Sequence, residues 1–214
     1  MTLRTNVLAA IACAALSLPA LASVVYSTGA DANHDGRDDQ FSVNGVQAYL
    51  VTATAKGWPV LPDASITTGQ YISWDPIQSD RYSNQLVNAQ YNYQFQFSWA
   101  DSGLDALFDF RWVSDDFLTD ITLNGVSLGV NNVGKSQVWR VSNSASTTGA
   151  VVQGVNTINF HVLNNQGGAS GLAADFTVHG GATVNDVPEP SSIWLAALAL
   201  GLLPLLRKHG GNAR

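Results

Sequence analysis

A short acidic segment near the start of the chain has the ligand spacing of a calcium loop. Oxygen-bearing side chains occupy positions one, three, five and nine of this segment: Asp31, Asn33, Asp35 and Asp39. A glycine takes the sixth position, as in the first half of an EF-hand, but Ser42 stands where the bidentate Glu would be. The spacing indicates a structural Ca²⁺ site. The alternative is an Asn/Gly-rich turn that satisfies its own backbone.

Aromatic and amide side chains beside predicted turns form a second candidate site. Aromatic faces stack on the CH surfaces of sugars, and amides hydrogen-bond to sugar hydroxyls. The candidate carbohydrate contacts are Trp58, Trp74, Tyr82, Asn164 and Asn165. The alternative for each aromatic is that it caps the edge of the core. Trp99 and Trp112 lie in alternating segments and are predicted to belong to the core.

The chain offers little for catalysis. A glycosidase needs two carboxyl groups facing each other across a cleft. Asp115 and Asp116 are the only adjacent acidic pair in the second half of the domain. In an extended strand, neighbouring side chains point to opposite faces, so the two carboxyl groups could not act together on a substrate. We expect them to lie in a solvated loop between strands. His34, His161 and His179 are scattered, no Gly-x-Ser-x-Gly elbow or phosphate loop is present, and we expect no enzyme activity.

Composition places the chain among polar, weakly charged proteins. It has 214 residues, a formal net charge of −6 and only 12% charged residues. Such an acidic balance argues against nucleic-acid binding, which needs a basic surface to neutralise phosphates. Without its two ends, the chain is long enough for one domain with its own core.

The N-terminus reads as a signal peptide, residues 1–22. Arg4 supplies the positive charge, residues 7–18 are apolar, and Ala20 and Ala22 give the small-x-small cleavage pattern before Ser23. Cys13, the chain's single cysteine, lies inside this segment, so we expect a mature protein without disulfides. Lipidation of Cys13 is a minor alternative, because a lipoprotein signal would have a large aliphatic residue where Ala10 stands.

The C-terminus, residues 185–214, combines a motif with a short apolar helix. Pro188, Glu189 and Pro190 precede an apolar run at 193–206, which Arg207 and Lys208 follow. Fourteen helical residues span about 21 Å, short of the roughly 30 Å hydrocarbon core. A transient stop followed by cleavage is therefore at least as reasonable as a permanent anchor, and the basic residues would stay on the cytoplasmic side.

In this order and position, these residues resemble the PEP-CTERM sorting signal of Gram-negative bacteria. The resemblance implies that an exosortase, an integral-membrane cysteine transpeptidase, recognises the tripeptide and removes the helix. It further implies an exported protein associated with exopolysaccharide or biofilm. The alternative is a plain C-terminal membrane anchor.

Between the two ends, residues 23–184 show the period-2 pattern of β-strands. In residues 90–100 five aromatic residues alternate with amides and a serine, which predicts a half-buried strand. Residues 108–112 repeat the pattern, and Asn124-Gly125 predicts a hairpin between 121–123 and 126–128. Further strands are predicted at 41–52, 70–74, 137–141, 156–163 and 173–178. Eight or nine strands without βαβ rhythm favour an all-β antiparallel sandwich.

The order of several short blocks is similar to galactose-binding-like jelly-roll domains. The blocks include Trp58-Pro59, Asp115-Asp116, Ile121-Thr122-Leu123-Asn124-Gly125, the Gly-x-Asn-x-Ile-x-Phe run at 154–160 and Gly171-Leu172. This resemblance implies a jelly-roll-type sandwich, and it says little about the ligand, since fold does not imply function.

Together these features predict an exported, non-catalytic protein of the cell envelope or extracellular matrix. Its partners would be an exosortase, transiently the inner membrane, and exopolysaccharide. A carbohydrate-binding module with a defined glycan is the first alternative, and a C-terminally anchored hydrolase is the second.

Overall fold

The computed structural model describes most of the domain between the two predicted processing segments. The described residues are 23–52, 58, 69–78, 87–100, 105–135, 138–165 and 167–180. All belong to the first of two compact units, Met1–Thr183, the second being Val184–Arg214. The predicted signal peptide and sorting segment lie outside the described residues and stay predictions.

The described part of the chain folds into eleven β-strands, and every strand pair is antiparallel. No helix in this part is long and apolar enough to cross a membrane. The strands are β1 Ser23–Ser27, β2 Arg37–Val43, β3 Val46–Leu50, β4 Ile72–Ser73, β5 Ala89–Trp99, β6 Asp105–Asp115, β7 Phe117–Leu123, β8 Val126–Ser127, β9 Asn143–Ala150, β10 Gly154–Asn164 and β11 Gly171–His179. The all-β antiparallel prediction is confirmed.

The strands form one continuous sheet that folds back on itself. Their order is β8-β7-β10-β5-β2-β3-β4-β11-β6-β9, and β1 pairs with β11. Aromatic rings of β5 and β10 contact rings of β6 and β11, as in Phe95–Phe176 at 5.3 Å and Phe110–Phe160 at 5.9 Å between centroids. The two halves therefore enclose one aromatic-rich core.

Strand β5 shows why the alternating pattern was informative. Its odd-numbered residues from Tyr91 to Trp99 are all buried, whereas Asn92 and Gln96 are exposed. The apolar face stabilises the fold by removing large rings from water, and the amide face stays solvated. Trp112 of β6 is buried as well, so the core assignments of Trp99 and Trp112 are confirmed.

Two Asn-Gly turns make tight hairpins. Asn124 and Gly125 have φ values of 51° and 83°, the left-handed geometry of a two-residue turn, and this predicted hairpin is confirmed. Asn44 and Gly45 adopt the same geometry at 49° and 83°. The single strand predicted over 41–52 is therefore wrong: the second turn splits it into β2 and β3.

Two other strand predictions need correction, and one strand was missed. Residues 138–141 form a turn and not a strand, and the strand lies just beyond them, as β9. The strand predicted over 70–74 shrinks to Ile72–Ser73. Strand β1 was not predicted at all, because its five residues carry no clear alternation. Short and edge strands have few buried side chains, so they leave a weak pattern in the sequence.

Candidate functional site

Several chain segments meet at one end of the sandwich, which we call the Asp115 end. Asp115 pairs with Gly171, so β6 ends where β11 begins. Asn164 pairs with Ala89, so β10 ends where β5 begins. Strands β4 and β7 also lie here, through the pairs Leu172–Ile72 and Leu163–Phe117. This register brings candidate residues from distant parts of the sequence to one place.

The carboxyl group of Asp115 is buried at this end and has specific partners. Its Oδ2 accepts a hydrogen bond from Trp58 Nε1 at 2.5 Å, and its carboxyl group also hydrogen-bonds that of Asp116. Asp116 in turn accepts from the backbone N–H of Asn165 at 2.8 Å. The expected solvated loop is therefore wrong for Asp115. Asp116 lies outside β6, so the alternation of a strand does not separate the two carboxyl groups.

Burial makes Asp115 a weak acid. Loss of hydration is the main cause that raises its pKa to about 8, and the neighbouring Asp116 raises it further, against the lowering effect of the Trp58 hydrogen bond. At neutral pH the carboxyl group of Asp115 therefore holds its proton and can donate to Asp116.

Trp58 is a covered residue in this structure. It is 7% exposed, its ring lies 4.3 Å from that of Tyr71, and both belong to a small apolar cluster with Val51, Val113 and Ala173. A Cβ on Gly171 would come within 2.7 Å of Trp58 Cη2, so the glycine makes room for the indole. Trp58 thus holds Asp115 and presents no face to solvent.

Trp74 is the more accessible of the described aromatic candidates. Its ring is partly exposed and lies parallel to that of Tyr91, with centroids 6.0 Å apart and planes 5° apart. Tyr82 lies outside the described residues. Of the two described aromatic candidates, Trp74 is therefore the one that is not fully covered by the protein.

The two amide candidates differ in position. Asn164 is fully buried, and its Nδ2 donates to the carbonyl of Gly168 at 3.2 Å. Asn165 is exposed and reaches Asp116 through its backbone, leaving its side chain at the surface. The structure thus brings Trp58 and the backbone of Asn165 to the same carboxyl pair, and Asn164 precedes Asn165 in the chain.

Buried polar atoms without a partner gather at the Asp115 end. They are Trp74 Nε1, the Tyr91 and Tyr93 hydroxyls, Asn164 Oδ1 and Ser170 Oγ; two further unpaired atoms, Trp99 Nε1 and Trp112 Nε1, lie in the main core. The hydroxyls of Ser73 and Ser170 are near enough to influence the pKa of Tyr93, which burial raises, but neither completes a well-aligned hydrogen bond with the phenol. Native proteins leave few such atoms unpaired, and each one calls for an explanation.

The predicted calcium residues lie together in one loop, where they bind backbone groups. The two carboxylate oxygens of Asp31 accept from the N–H groups of Asp35 and Gly36, at 3.0 and 3.1 Å. Asn33 also accepts from Asp35, and Asp39 accepts from the N–H of Ala32 at 2.6 Å. Within the described residues, no group of three or more acidic, His or Cys side chains is placed to hold a metal ion. The calcium site stays a prediction.

A hydrogen-bonded row of four side chains crosses the outer face of the sheet, and no sequence motif predicts it. The Ser23 hydroxyl bonds His179 Nδ1 at 3.0 Å, and His179 Nε2 lies 2.6 Å from Asp109, which also accepts from Ser146. The hydrogen bonds from Ser146 and then His179 lower the pKa of Asp109. The row includes a Ser, a His and an Asp, but it lies flat and half-exposed on four neighbouring strands, so we interpret it as a link between β1, β11, β6 and β9.

No family model matches the chain, and no curated protein matches it. Solved structures do. A family 35 carbohydrate binding module from Clostridium thermocellum is 15% identical, with 73% of this chain and 97% of that one covered and a TM-score of 0.42. A second, from Paenibacillus barcinonensis, is 16% identical over 72% and 97%, with a TM-score of 0.39. A third, from Cellvibrio japonicus Abf62, is 11% identical over 77% and 99%, with a TM-score of 0.41. Likeness at this level carries no conclusion about function.

Proposed function

We propose that this protein is a non-catalytic carbohydrate-binding domain and that the Asp115 end holds its ligand. One observation carries the proposal: unpaired polar groups of aromatic and amide side chains gather at this end, beside the partly exposed ring of Trp74. Sugars offer hydroxyl groups to such donors and acceptors, and CH faces to such rings. A ligand, with bridging water, would satisfy groups that the protein leaves unsatisfied.

The arrangement of the two carboxyl groups at the Asp115 end favours binding of a glycan over its hydrolysis. A retaining glycosidase keeps its two carboxyl groups about 5 Å apart, and an inverting one about 6.5–9.5 Å apart, so that a sugar fits between them. Asp115 and Asp116 instead hydrogen-bond each other, and Trp58 covers Asp115. Neither carboxyl group is free to act on a ligand from an opposite side.

The names of the similar structures agree with the proposal, but it rests on the side chains. Three of them are family 35 carbohydrate binding modules. Assignment to the galactose-binding-like jelly rolls is part of the same proposal. An experimental structure of the domain with a bound sugar would test that assignment.

Binding to soluble polysaccharides tests the proposal. In affinity electrophoresis and calorimetry with a panel of neutral and acidic glycans, at least one glycan should bind. Trp74→Ala should weaken that binding at least about tenfold, because loss of a central aromatic contact typically costs more than 1 kcal/mol. Leu107→Ala is the matched control, since Leu107 is an exposed apolar residue on the outer face of β6.

The outcomes are distinct. Failure of every glycan, with the circular dichroism spectrum of a folded β protein, would argue against carbohydrate binding. An equal loss of glycan affinity in Trp74→Ala and Leu107→Ala would mean that the ligand does not bind at the Asp115 end. Turnover of a polysaccharide would favour the hydrolase alternative.

We further propose that the protein is exported and sorted by an exosortase, and that its glycan is an exopolysaccharide of the envelope or matrix. The Pro188–Pro190 motif and the apolar run behind it support this step. The intact mass of protein from its host should lack residues 1–22 and the segment after the motif. Glu189→Ala should retain that segment. A wild-type mass that includes the apolar run would indicate a permanent anchor instead.

A further inference from the structure

Strand β9 lies at the edge of the sheet with no buried residue. It pairs with β6 over all 8 of its residues without a register shift. Its residues alternate between half-buried and exposed, so even Ala145 and Thr147, on the core side, stay partly accessible. The strand, Asn-Ser-Ala-Ser-Thr-Thr-Gly-Ala, carries no charge and no proline. It is a long, regular and uncharged edge.

At the opposite end of the sheet, next to the two-residue strand β8, backbone groups of β7 are bonded by a loop. The Asn132 side chain accepts from the N–H of Leu118 at 2.7 Å, and its backbone N–H donates to the carbonyl of the same residue at 3.0 Å. Leu128 donates to Ile121 at 2.8 Å. Among the described residues, no second strand or loop bonds the backbone of β9 in this way. Soluble proteins usually protect such edges with charges, prolines, bulges or a covering segment.

We propose that β9 pairs with β9 of a second copy of this chain, antiparallel about a two-fold axis perpendicular to the sheet. Such an axis keeps the outer faces of both copies on one side and passes near Ser146 or Thr147, the centre of the strand. It sets only small uncharged side chains against each other, so no like charges meet across the junction. This matters in a chain with a net charge of −6.

Residues beside the strand suit the same arrangement. Val141 and Val152 flank β9 and are 56% and 52% exposed. Antiparallel pairing brings the Val141 end of one copy to the Val152 end of the other, so apolar surface is buried at both ends of the junction. Asp109, which faces β9 from β6, already has Ser146 and His179 as partners. The contact is small, so we expect a weak dimer.

Sedimentation of the purified full-length protein tests this inference. Over concentrations from about 1 µM to about 1 mM, the range of weak interfaces, the average mass should rise toward that of a dimer. Ser144→Glu with Thr148→Glu should weaken dimerisation at least about tenfold, because carboxylates of the two copies would lie directly opposite each other if the axis passes through Ser146, and diagonally if it passes through Thr147. Within one copy, Glu at position 144 lies opposite Arg111, so the fold is retained.

The control is Gln47→Glu with Gln96→Glu, which adds the same charge at exposed positions on β3 and β5 and should leave dimerisation unchanged. A monomer at every concentration would overturn the inference. A dimer that the β9 variant does not weaken, or that both variants weaken equally, would overturn it as well.

Discussion

Replacing Asp115 by Asn should remove a pH-dependent loss of stability. Asn has the shape of the protonated acid: its Oδ1 can accept from Trp58 Nε1, and its Nδ2 can donate to Asp116. The variant therefore keeps both hydrogen bonds without an ionisable group. Because the wild-type carboxyl group must ionise in a buried place, we expect the two proteins to differ in how stability depends on pH.

The sign follows from proton binding. The unfolded chain loses the Asp115 proton near pH 4, whereas the folded protein keeps it up to about pH 8. Between these values the folded state holds one proton more, so the free energy of unfolding falls as the pH rises. The slope approaches about 1.4 kcal/mol per pH unit, which gives an upper limit of about 6 kcal/mol over the window.

Urea unfolding, followed by tryptophan fluorescence at pH 5 and pH 8, measures this effect. The wild type should lose stability relative to Asp115→Asn by at least about 2 kcal/mol between the two pH values, a conservative share of the upper limit. Other groups, including the buried Asp38, contribute to both proteins and cancel in the difference. Asp116→Asn should keep most of the slope, because burial is the larger cause. A wild-type-to-variant difference that does not change with pH would refute the reasoning.

Further variants test other contacts of the fold. Gly171→Ala should destabilise the fold by about 1–3 kcal/mol, since its Cβ would collide with Trp58. Urea unfolding would measure the loss of stability, and tryptophan fluorescence would report the displacement of the Trp58 ring. Asn132→Ala should cost a similar amount, about 1–3 kcal/mol, because the buried N–H of Leu118 loses its acceptor and the Ser114 hydroxyl loses its donor. Saturating Ca²⁺ should raise the melting temperature if the Asp31 loop binds the ion. Asp31→Asn should abolish that rise, and a wild type that does not respond to Ca²⁺ would identify the loop as a plain turn.

The sequence allowed the central strands to be predicted because each has one buried face. Tyr91, Tyr93 and Phe95 alternate with amides, and this period-2 pattern follows directly from their burial. Strand β9 could not be found in the same way, since none of its side chains is buried and its sequence carries no alternation. The β2–β3 turn could have been found, because Asn44-Gly45 is the same signal that located the Asn124-Gly125 hairpin.

The site was only partly predictable, because it depends on contacts between distant residues. Trp58 was singled out as an aromatic beside a turn, but its hydrogen bond to Asp115 spans 57 residues of sequence. Its burial likewise depends on the register that brings Gly171 to the end of β6. Nothing local to Asp115 distinguishes a buried acid from a solvated one. Residue types thus suggested the chemistry, whereas the tertiary pairing decided which groups meet.

The polar groups at the Asp115 end make sense as a functional compromise. A core selected for stability alone would place apolar side chains where Tyr93 and Asn164 stand, because an unpaired buried donor or acceptor costs about 1–3 kcal/mol. Proteins break such rules chiefly at functional sites. Tyr93→Phe removes one unpaired hydroxyl and keeps the ring, so it should leave stability unchanged or raise it by up to about 1 kcal/mol.

If the Tyr93 hydroxyl serves the ligand, directly or through bound water, the same variant should also weaken glycan binding. Urea unfolding and calorimetry on one protein preparation separate the two effects. A fold that Tyr93→Phe destabilises by more than about 1 kcal/mol would mean that the hydroxyl already has a partner in the free protein. Unchanged stability with unchanged binding would mean that the hydroxyl serves neither, and the case for a ligand at this end would then rest on Trp74 alone.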